Sequence, residues 1–199
     1  MNLRWNRSMQ LKHLVGTSLL LACAGANGAT IFSDNFEADV PIFNQTSFVG
    51  GWTVTNGTVD VVQNFVFPGK VVDLDGSTGD AGVFTKSLAL TAGSIYTASF
   101  ALAGSQRGST ETVSVDFGTA SADVTLASGD PFGVRSLSFT PAASGNFALS
   151  FANAGGDNVG VLLDNVSIDV SPIPEPETYA LMLAGLAGVG GMVRWRRRG

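Results

Sequence analysis

The stretch from Thr30 to Ser171 contains no cysteine and no histidine, because Cys23 and His13 both precede it. It therefore excludes an internal disulfide framework, a cysteine nucleophile, a Ser-His-Asp triad and a histidine-ligated zinc site. Basic residues are scarce as well, since four stand against fourteen acidic residues, a net charge of −10. This acidic excess excludes nucleic-acid binding through phosphate neutralisation, which needs clustered Lys and Arg.

The remaining catalytic chemistry would be a pair of carboxylates, as in glycosidases. Acidic residues are numerous in this stretch, but no sequence feature pairs two of them across a cleft. An acidic surface that promotes solubility is the simpler interpretation. We therefore predict no catalytic residue and a protein that is not an enzyme.

Aromatic platforms for sugar stacking are also few. The stretch has one Trp and one Tyr, and Tyr96 alternates in register with Ala98 and Phe100, which predicts a core position. Most of the phenylalanines fall at strand positions and are expected to be buried. Phe65 and Phe67, on a loop, are the better candidates for exposure, and no ligand-binding residue is predicted.

The first 29 residues have the features of a secretory signal peptide. Three basic residues precede the apolar run Leu14–Ala24, and small residues follow as far as Ala29. The run has 11 residues, whereas a membrane-spanning helix needs about 20. Cleavage after Ala26 or after Ala29 fits the pattern. An alternative remains, because the residues ending at Cys23 resemble a lipoprotein lipobox, in which that cysteine is lipidated.

From Ile31 to Val170 the sequence alternates apolar and polar residues in short runs rich in Val, Thr and Phe. This period of two is typical of strands with one face on the core. Turn residues separate the runs, as at Asn56-Gly57 and Ser144-Gly145. About eight to ten short strands at regular spacing predict an all-β domain over residues 30–171, built as an antiparallel sandwich or jelly roll.

The run Asp73–Asp80 superficially resembles a calcium loop, but it lacks the ligand spacing of an EF-hand. Alternation predicts that Val72 and Leu74 point inward. Asp73 and Asp75 are then expected to point outward, at a solvated strand end that leads into a glycine-rich turn.

Five strings follow one another along the β-domain, which are GWTVTNGTVDVV, VVDLDGS, FTKSLALTAGSIYTASFALAG, SFTPAASGNFALSFANAG and VLLDNVSIDV. In this order they resemble an exported family with a galactose-binding-like jelly-roll fold, similar to carbohydrate-binding modules. Plant members of that family associate with cell-wall polysaccharides. The resemblance extends from about Phe36 to Val170 and implies a core position for Trp52 and glycan binding of unspecified kind.

The same resemblance implies one structural Ca²⁺. Asp34-Asn35-Phe36-Glu37 resembles the opening of such jelly rolls, and Leu163-Asp164-Asn165-Val166 resembles their closing strand. In similar modules these two segments hold calcium where the first and last strands meet. By this resemblance Glu37 and Asp164 are the predicted ligands, with Asp34 as a third. The alternative is that all three are ordinary surface carboxylates.

The last 29 residues combine three features. Ser171–Pro176 is a proline-rich spacer that cannot continue a strand. Tyr179–Val193 is an uncharged, mostly apolar run, and we predict a transmembrane segment over residues 177–195. Four arginines follow, and they place the C-terminus on the cytoplasmic side by the positive-inside rule. These are Arg194, Arg196, Arg197 and Arg198.

This tail, residues 172–199, resembles the PEP-CTERM sorting signal of Gram-negative bacteria. Pro174, Glu175 and Pro176 form the motif that an exosortase recognises, and the arginines hold the substrate in the inner membrane until processing. A permanent membrane anchor is the alternative. The resemblances together imply an exported, non-enzymatic cell-surface or extracellular-matrix protein associated with exopolysaccharide or biofilm. A self-associating structural protein and a carbohydrate-active enzyme are the rival hypotheses.

Overall fold

The computed structural model describes residues 28–63, 66–172 and 176–196. The predicted signal peptide as far as residue 27 lies outside the described residues. The same holds for Phe65 on its loop, for Pro174 and Glu175 of the sorting motif, and for the last three residues, which include Arg197 and Arg198.

The described part of the chain forms twelve strands followed by one helix, α1 (Pro176–Arg196). The predicted all-β domain is confirmed. The strands are β1 (Ala29–Asp34), β2 (Ile42–Gln45), β3 (Thr53–Thr55), β4 (Val59–Gln63), β5 (Lys70–Asp73), β6 (Val83–Leu90), β7 (Ser94–Ala103), β8 (Glu111–Phe117), β9 (Ala120–Leu126), β10 (Gly133–Phe139), β11 (Gly145–Asn153) and β12 (Leu162–Pro172).

The strands form two antiparallel sheets that pack face to face. Sheet A has the order β10-β7-β12-β5-β4-β2, and β1 pairs with β12. Sheet B has the order β3-β6-β11-β8-β9. Sequence neighbours are often separated in space, as in a jelly roll, and the predicted antiparallel sandwich is therefore confirmed.

Strand β12 occupies the centre of sheet A. Along one edge it pairs with β7 from Leu162 opposite Ala103 to Pro172 opposite Ser94. The expectation that the spacer beginning at Ser171 cannot continue a strand is therefore wrong for Ser171 and Pro172, because a proline at the last position of a strand lacks only its own N–H donor. Along the other edge its first two residues pair with β5, and residues from Val166 onward pair with β1. The first and last strands of the domain are therefore hydrogen-bonded neighbours.

The core lies between the inner faces of the two sheets, where alternate residues of each strand meet. Trp52 stacks on Phe84 with ring centroids 4.3 Å apart, and it also contacts Phe36 and Phe151. Trp52 and Tyr96 are both buried, so the predicted core positions of both are confirmed.

Helix α1 begins at Pro176, a residue favoured in the first turn because it has no N–H to leave unbonded. Several of its apolar side chains are exposed, among them Leu181, Leu183 and Met192. No helix in the described ranges is long and apolar enough to cross a membrane. The transmembrane segment over residues 177–195 stays a prediction.

Candidate functional site

Two carboxylates lie side by side on the outer face of sheet A. Asp60 of β4 and Leu162 of β12 are both directly opposite Asp73 of β5. Val61 and Val72, the adjacent residues, belong to the core. Because successive side chains of a strand point to opposite faces, Asp60 and Asp73 share the outer face.

A small apolar cluster covers the neighbouring part of this face. Val71, Ala103 and Leu162 are buried there, in a cluster separate from the main core. Phe67 and Phe132 pack over them, and their rings meet edge to face with centroids 4.7 Å apart. Phe67, which the sequence suggested as a candidate for exposure, is therefore half-buried.

Asp60 is only 3 % exposed, and three donors surround its carboxylate. One oxygen accepts hydrogen bonds from the backbone N–H groups of Asn44 and Ser77, at 2.7 and 3.2 Å. The other accepts one from the Ser77 hydroxyl at 2.7 Å. Asn44 reaches this position with a φ of 58°, in the left-handed region that asparagine tolerates. These bonds replace the water that the buried carboxylate has lost.

Asp73 is 4 % exposed and forms an ion pair with Arg107, whose side chain is 43 % exposed. Its other carboxylate oxygen accepts a hydrogen bond from the backbone N–H of Asp75 at 3.1 Å. Burial raises the pKa of Asp73 to about 7. Arg107 and the backbone hydrogen bond act in the opposite direction, and the nearby charges of Asp60 and Asp75 raise the pKa further.

Asp75 is completely buried. One carboxylate oxygen accepts a hydrogen bond from the N–H of Gly156 at 3.2 Å, and the other has no partner among the described residues. The expectation that Asp73 and Asp75 lie at a solvated strand end is therefore wrong. Loops that the alternation pattern does not reveal cover them, one through Arg107 and one through Gly155, where an added Cβ would lie 2.7 Å from the Asp75 carboxylate.

A cavity of about 390 Å³ opens beside these carboxylates, and we call it the outer-face cavity. Its polar wall includes Asp73, Ser77 and Arg107, and its apolar wall includes Phe43 and Val62. The size and the mixed lining are those of a site for a small polar ligand with an apolar surface.

The loop that carries Arg107 is fixed by side-chain hydrogen bonds. Gln106 has a φ of 58°, and its amide nitrogen donates to the carbonyl oxygen of Ser128 at 2.8 Å. The backbone N–H of Arg107 donates to the Ser105 hydroxyl at 3.3 Å. Arg107 is thus held at the cavity by neighbours on two loops.

Apolar surface continues from the outer-face cavity along the edge strand β2. Phe43 is 65 % exposed, and together with Pro41 and Ile42 it lines an adjoining cavity of about 490 Å³. An exposed aromatic ring beside polar groups suits a pyranose, because a sugar ring has an apolar face and a rim of hydroxyl groups.

Of the three predicted calcium ligands, Asp164 lies close enough to both Glu37 and Asp34 for their charges to interact. Burial raises the pKa of Asp164, and the negative charges of Glu37 and Asp34 raise it further. Each carboxylate, however, is engaged by protein donors. Asp34 accepts from Phe36 N–H and Trp52 Nε1–H, Glu37 from Lys70 N–H, and Asp164 from the backbone and side chain of Asn165.

Within the described ranges, no three His, Cys, Asp or Glu side chains are grouped so that they could hold a metal ion. The structure therefore brings Asp34, Glu37 and Asp164 into one neighbourhood without assembling a metal centre from them. Calcium binding by these residues stays a prediction.

Of the predicted sorting residues, Pro176 begins α1, Arg194 is exposed near its end and Arg196 is its last residue. The other motif and tail residues lie outside the described ranges.

Sequence reasoning missed three residues of the outer-face cavity, which are Phe43, Asp60 and Arg107. Asp60 is brought beside Asp73 by the pairing of β4 with β5, which a single strand pattern does not predict. Arg107 could have been singled out from the sequence, because it is one of only four basic residues between Thr30 and Ser171.

Comparison with known families identifies the tail. Residues 172–198 match the PEP-CTERM protein-sorting motif. The chain carries a PEP-CTERM sorting signal. Such a motif implies export, processing by an exosortase and transient anchoring of the C-terminus in the membrane. No curated protein matches the sequence.

Comparison with solved structures confirms the fold. The CBM22-1 xylan-binding domain of Paenibacillus barcinonensis Xyn10C is similar at 13 % identity and a TM-score of 0.51, over 76 % of this chain and all of that domain. The tandem CBM22-1-CBM22-2 domain of the same protein is 15 % identical, with a TM-score of 0.51, over 78 % of this chain and 48 % of that one. A cyclase from Fischerella sp. TAU is 14 % identical, with a TM-score of 0.54, over 75 % of this chain and all of the cyclase chain. The β-domain that precedes the PEP-CTERM signal therefore has a jelly-roll fold similar to that of these solved structures.

We expect the free energy of unfolding to fall as pH rises from about 4 to about 7. Asp73 holds its proton more tightly in the folded state than in the unfolded state, so its contribution is complete below pH 3.8 and lost as pH passes about 7. The loss amounts to at most about 1.4 kcal/mol per pH unit. Denaturant unfolding between pH 4 and pH 8 measures it.

Asp73→Asn should flatten this dependence, because asparagine does not titrate. Asp116→Asn, which neutralises an exposed carboxylate on sheet B, should leave it as in the wild type. Parallel curves for wild type and Asp73→Asn would show that Asp73 does not titrate in this range.

Proposed function

We propose that this protein is an exported, exosortase-processed protein of the cell surface or extracellular matrix that binds glycans and catalyses no reaction. The outer-face cavity carries the proposal, because exposed Phe43 adjoins a polar wall that includes Asp73 and Arg107. Through this site the protein associates with exopolysaccharide or biofilm matrix.

The fold supports glycan binding. The similar Paenibacillus domain is named as a xylan-binding domain, and in this chain the outer face of sheet A carries the outer-face cavity. The PEP-CTERM motif supports the location, since a matrix or surface protein has to be exported and then released from the membrane.

The surroundings of the two cavity carboxylates support a binding role over catalysis. A glycosidase needs one carboxyl group that can protonate the leaving group and a second that can act as nucleophile or base. Asp60 is instead enclosed by three donors, and Asp75 is completely buried. Asp73, whose raised pKa would suit a general acid, therefore has no accessible second carboxylate beside it.

Self-association is the second candidate function, and one observation favours it. Val40, Ile42 and Phe43 are apolar and exposed in or beside the edge strand β2 of sheet A. An exposed apolar edge can pair with another copy of the same chain.

Phe43→Ala should weaken binding to a recognised polysaccharide by roughly 1 kcal/mol, about fivefold, because the stacking surface is lost. Affinity electrophoresis of the purified full-length protein against a panel of soluble polysaccharides measures this. Val134→Ala is the matched control, since Val134 is an exposed apolar residue on the opposite edge strand β10. A different outcome would favour self-association over glycan binding. The wild type would then be an oligomer in sedimentation velocity that Phe43→Ala dissociates, and neither the wild type nor the variant would bind a polysaccharide.

We also propose that the signal peptide is cleaved after Ala26, so that Ala29 remains in the mature chain. The support is the pairing of Ala29 with Val170, which makes Ala29 part of β1. Cleavage after Ala29 would remove the first residue of that strand, whereas cleavage after Ala26 leaves it whole.

The intact mass of the mature protein from its native cells should correspond to a chain that begins at Asn27 and ends near Pro174–Glu177. Glu175→Ala should keep the tail, because it alters the predicted recognition motif. Glu177→Ala removes a neighbouring carboxylate outside the motif and should be processed normally. A wild-type mass that still includes Arg196–Gly199 would mean a permanent membrane anchor.

We propose further that Ca²⁺ binds where β1 and β12 meet, with Asp34, Glu37 and Asp164 as ligands. The support is the repulsion of the Asp164 carboxylate by Glu37 and Asp34, which a cation would relieve. Carboxylate oxygens are the ligands that calcium prefers. Asp164 would have to turn from Asn165 to take part.

Saturating Ca²⁺ should raise the thermal unfolding temperature of the wild type, and a concentration 100 times the dissociation constant adds about 2.7 kcal/mol of stability. Asp164→Asn should abolish the rise, and Asp116→Asn should keep it. Equal unfolding temperatures with and without Ca²⁺ in the wild type would exclude the site.

A further inference from the structure

Arg107 is the one basic residue that lines the outer-face cavity in the described structure. Its guanidinium group has five N–H donors in a planar fork that matches a carboxylate. Asp73 engages one terminal nitrogen, and no further side-chain hydrogen bond of Arg107 is found among the described residues. At 43 % exposure, the side chain retains donor groups for a ligand in the cavity.

The partner of Arg107 is a carboxylate in a crowded and acidic position. Asp60 of β4 lies opposite Asp73, and Asp75 lies two residues after Asp73 in the chain. The loop between β7 and β8 contributes Arg107. Strand β12 contributes the apolar Leu162. Arg107 pairs with Asp73, which has two further carboxylates beside it, and all three carboxylates are almost completely buried.

We propose that the outer-face cavity binds an acidic polysaccharide, with the carboxylate of a uronic acid residue replacing Asp73 on Arg107 while Asp73 takes up one proton. The inference rests on the glycan-binding function proposed above and names the ligand class. No covalent bond forms or breaks. One carboxylate and one proton enter together, so the net charge of the site is unchanged.

The exchange follows from the groups around Arg107. A second carboxylate beside ionised Asp73 would add a fourth negative charge to the cluster, which proton uptake prevents. Protonated Asp73 gains an O–H donor, which a neighbouring carboxylate or a sugar oxygen can accept. Phe43 and Val62 provide the apolar wall against which the sugar ring packs.

Proton uptake makes the affinity depend on pH in a defined way. Asp73 is protonated below about pH 7 in the free protein, so the affinity for a uronate is then independent of pH. Above that pH each unit costs a factor of about ten, because the required proton is absent from the free site. A neutral sugar needs no proton and shows no such dependence.

The test is isothermal titration calorimetry of the purified full-length protein at constant ionic strength, from pH 6 to pH 9. The two probes are hexagalacturonate and its fully methyl-esterified counterpart, which share one backbone and differ in charge. Affinity for hexagalacturonate should fall about tenfold from pH 8 to pH 9. Binding of the ester should be weaker at pH 6 and flat over the range.

Two variants separate the groups. Asp73→Asn should bind hexagalacturonate at pH 9 as well as the wild type does at pH 6, because Arg107 no longer has a competing anion. Asp116→Asn removes the same charge from sheet B and should keep the wild-type profile. Arg107→Gln should lose the preference for the acid over the ester.

A second measurement keeps the inference testable if Asp73→Asn fails to fold. Titrations of the wild type at pH 8 in buffers of different ionisation enthalpy should show close to one proton taken up per hexagalacturonate bound. No proton uptake, or equal affinities for acid and ester at every pH, overturns the inference and leaves the glycan-binding function standing. If neither probe nor any polysaccharide of the panel binds, the proposed function falls as well.

Discussion

The arrangement of strand β12 determines the rest of the domain. Its two edges hold β7 on one side and both β5 and β1 on the other, so it joins the beginning, middle and end of the chain in one sheet. The change from β5 to β1 coincides with a register shift between Asp164 and Ser167. Leu162, before the shift, faces the outer-face cavity, and Asp164, within it, faces the predicted calcium ligands. One strand thereby positions both candidate sites.

The buried carboxylates explain why the loops around the cavity are ordered as they are. A carboxylate that loses water needs compensating donors, and those that Asp60 and Asp73 find come from Ser77, Arg107 and the backbone. Each donor fixes a loop. The donors that compensate buried charge thus also hold the cavity wall in one conformation. Such preorganisation lowers the entropy lost when a ligand binds.

Much of the fold could be predicted because alternation and turn chemistry are local. They identify strands, and the core positions of Trp52 and Tyr96 follow from them together with the family resemblance. The site could not be predicted in the same way, because it depends on strand order. Asp60 meets Asp73 only through the pairing of β4 with β5, and Asp75 is buried by a loop some 80 residues later in the chain.

The position of the sorting motif relative to β12 links folding to release. Ser171 and Pro172 still pair with Ile95 and Ser94 of β7, so the domain remains hydrogen-bonded up to the first residue of the motif. Cleavage beyond residue 173 removes no residue of β12 and breaks no pair of sheet A. Because β12 is central and joins three other strands, a cut only a few residues earlier would fray the middle of the sheet. The boundary between domain and signal therefore lies where processing would leave both sheets and the outer-face cavity intact.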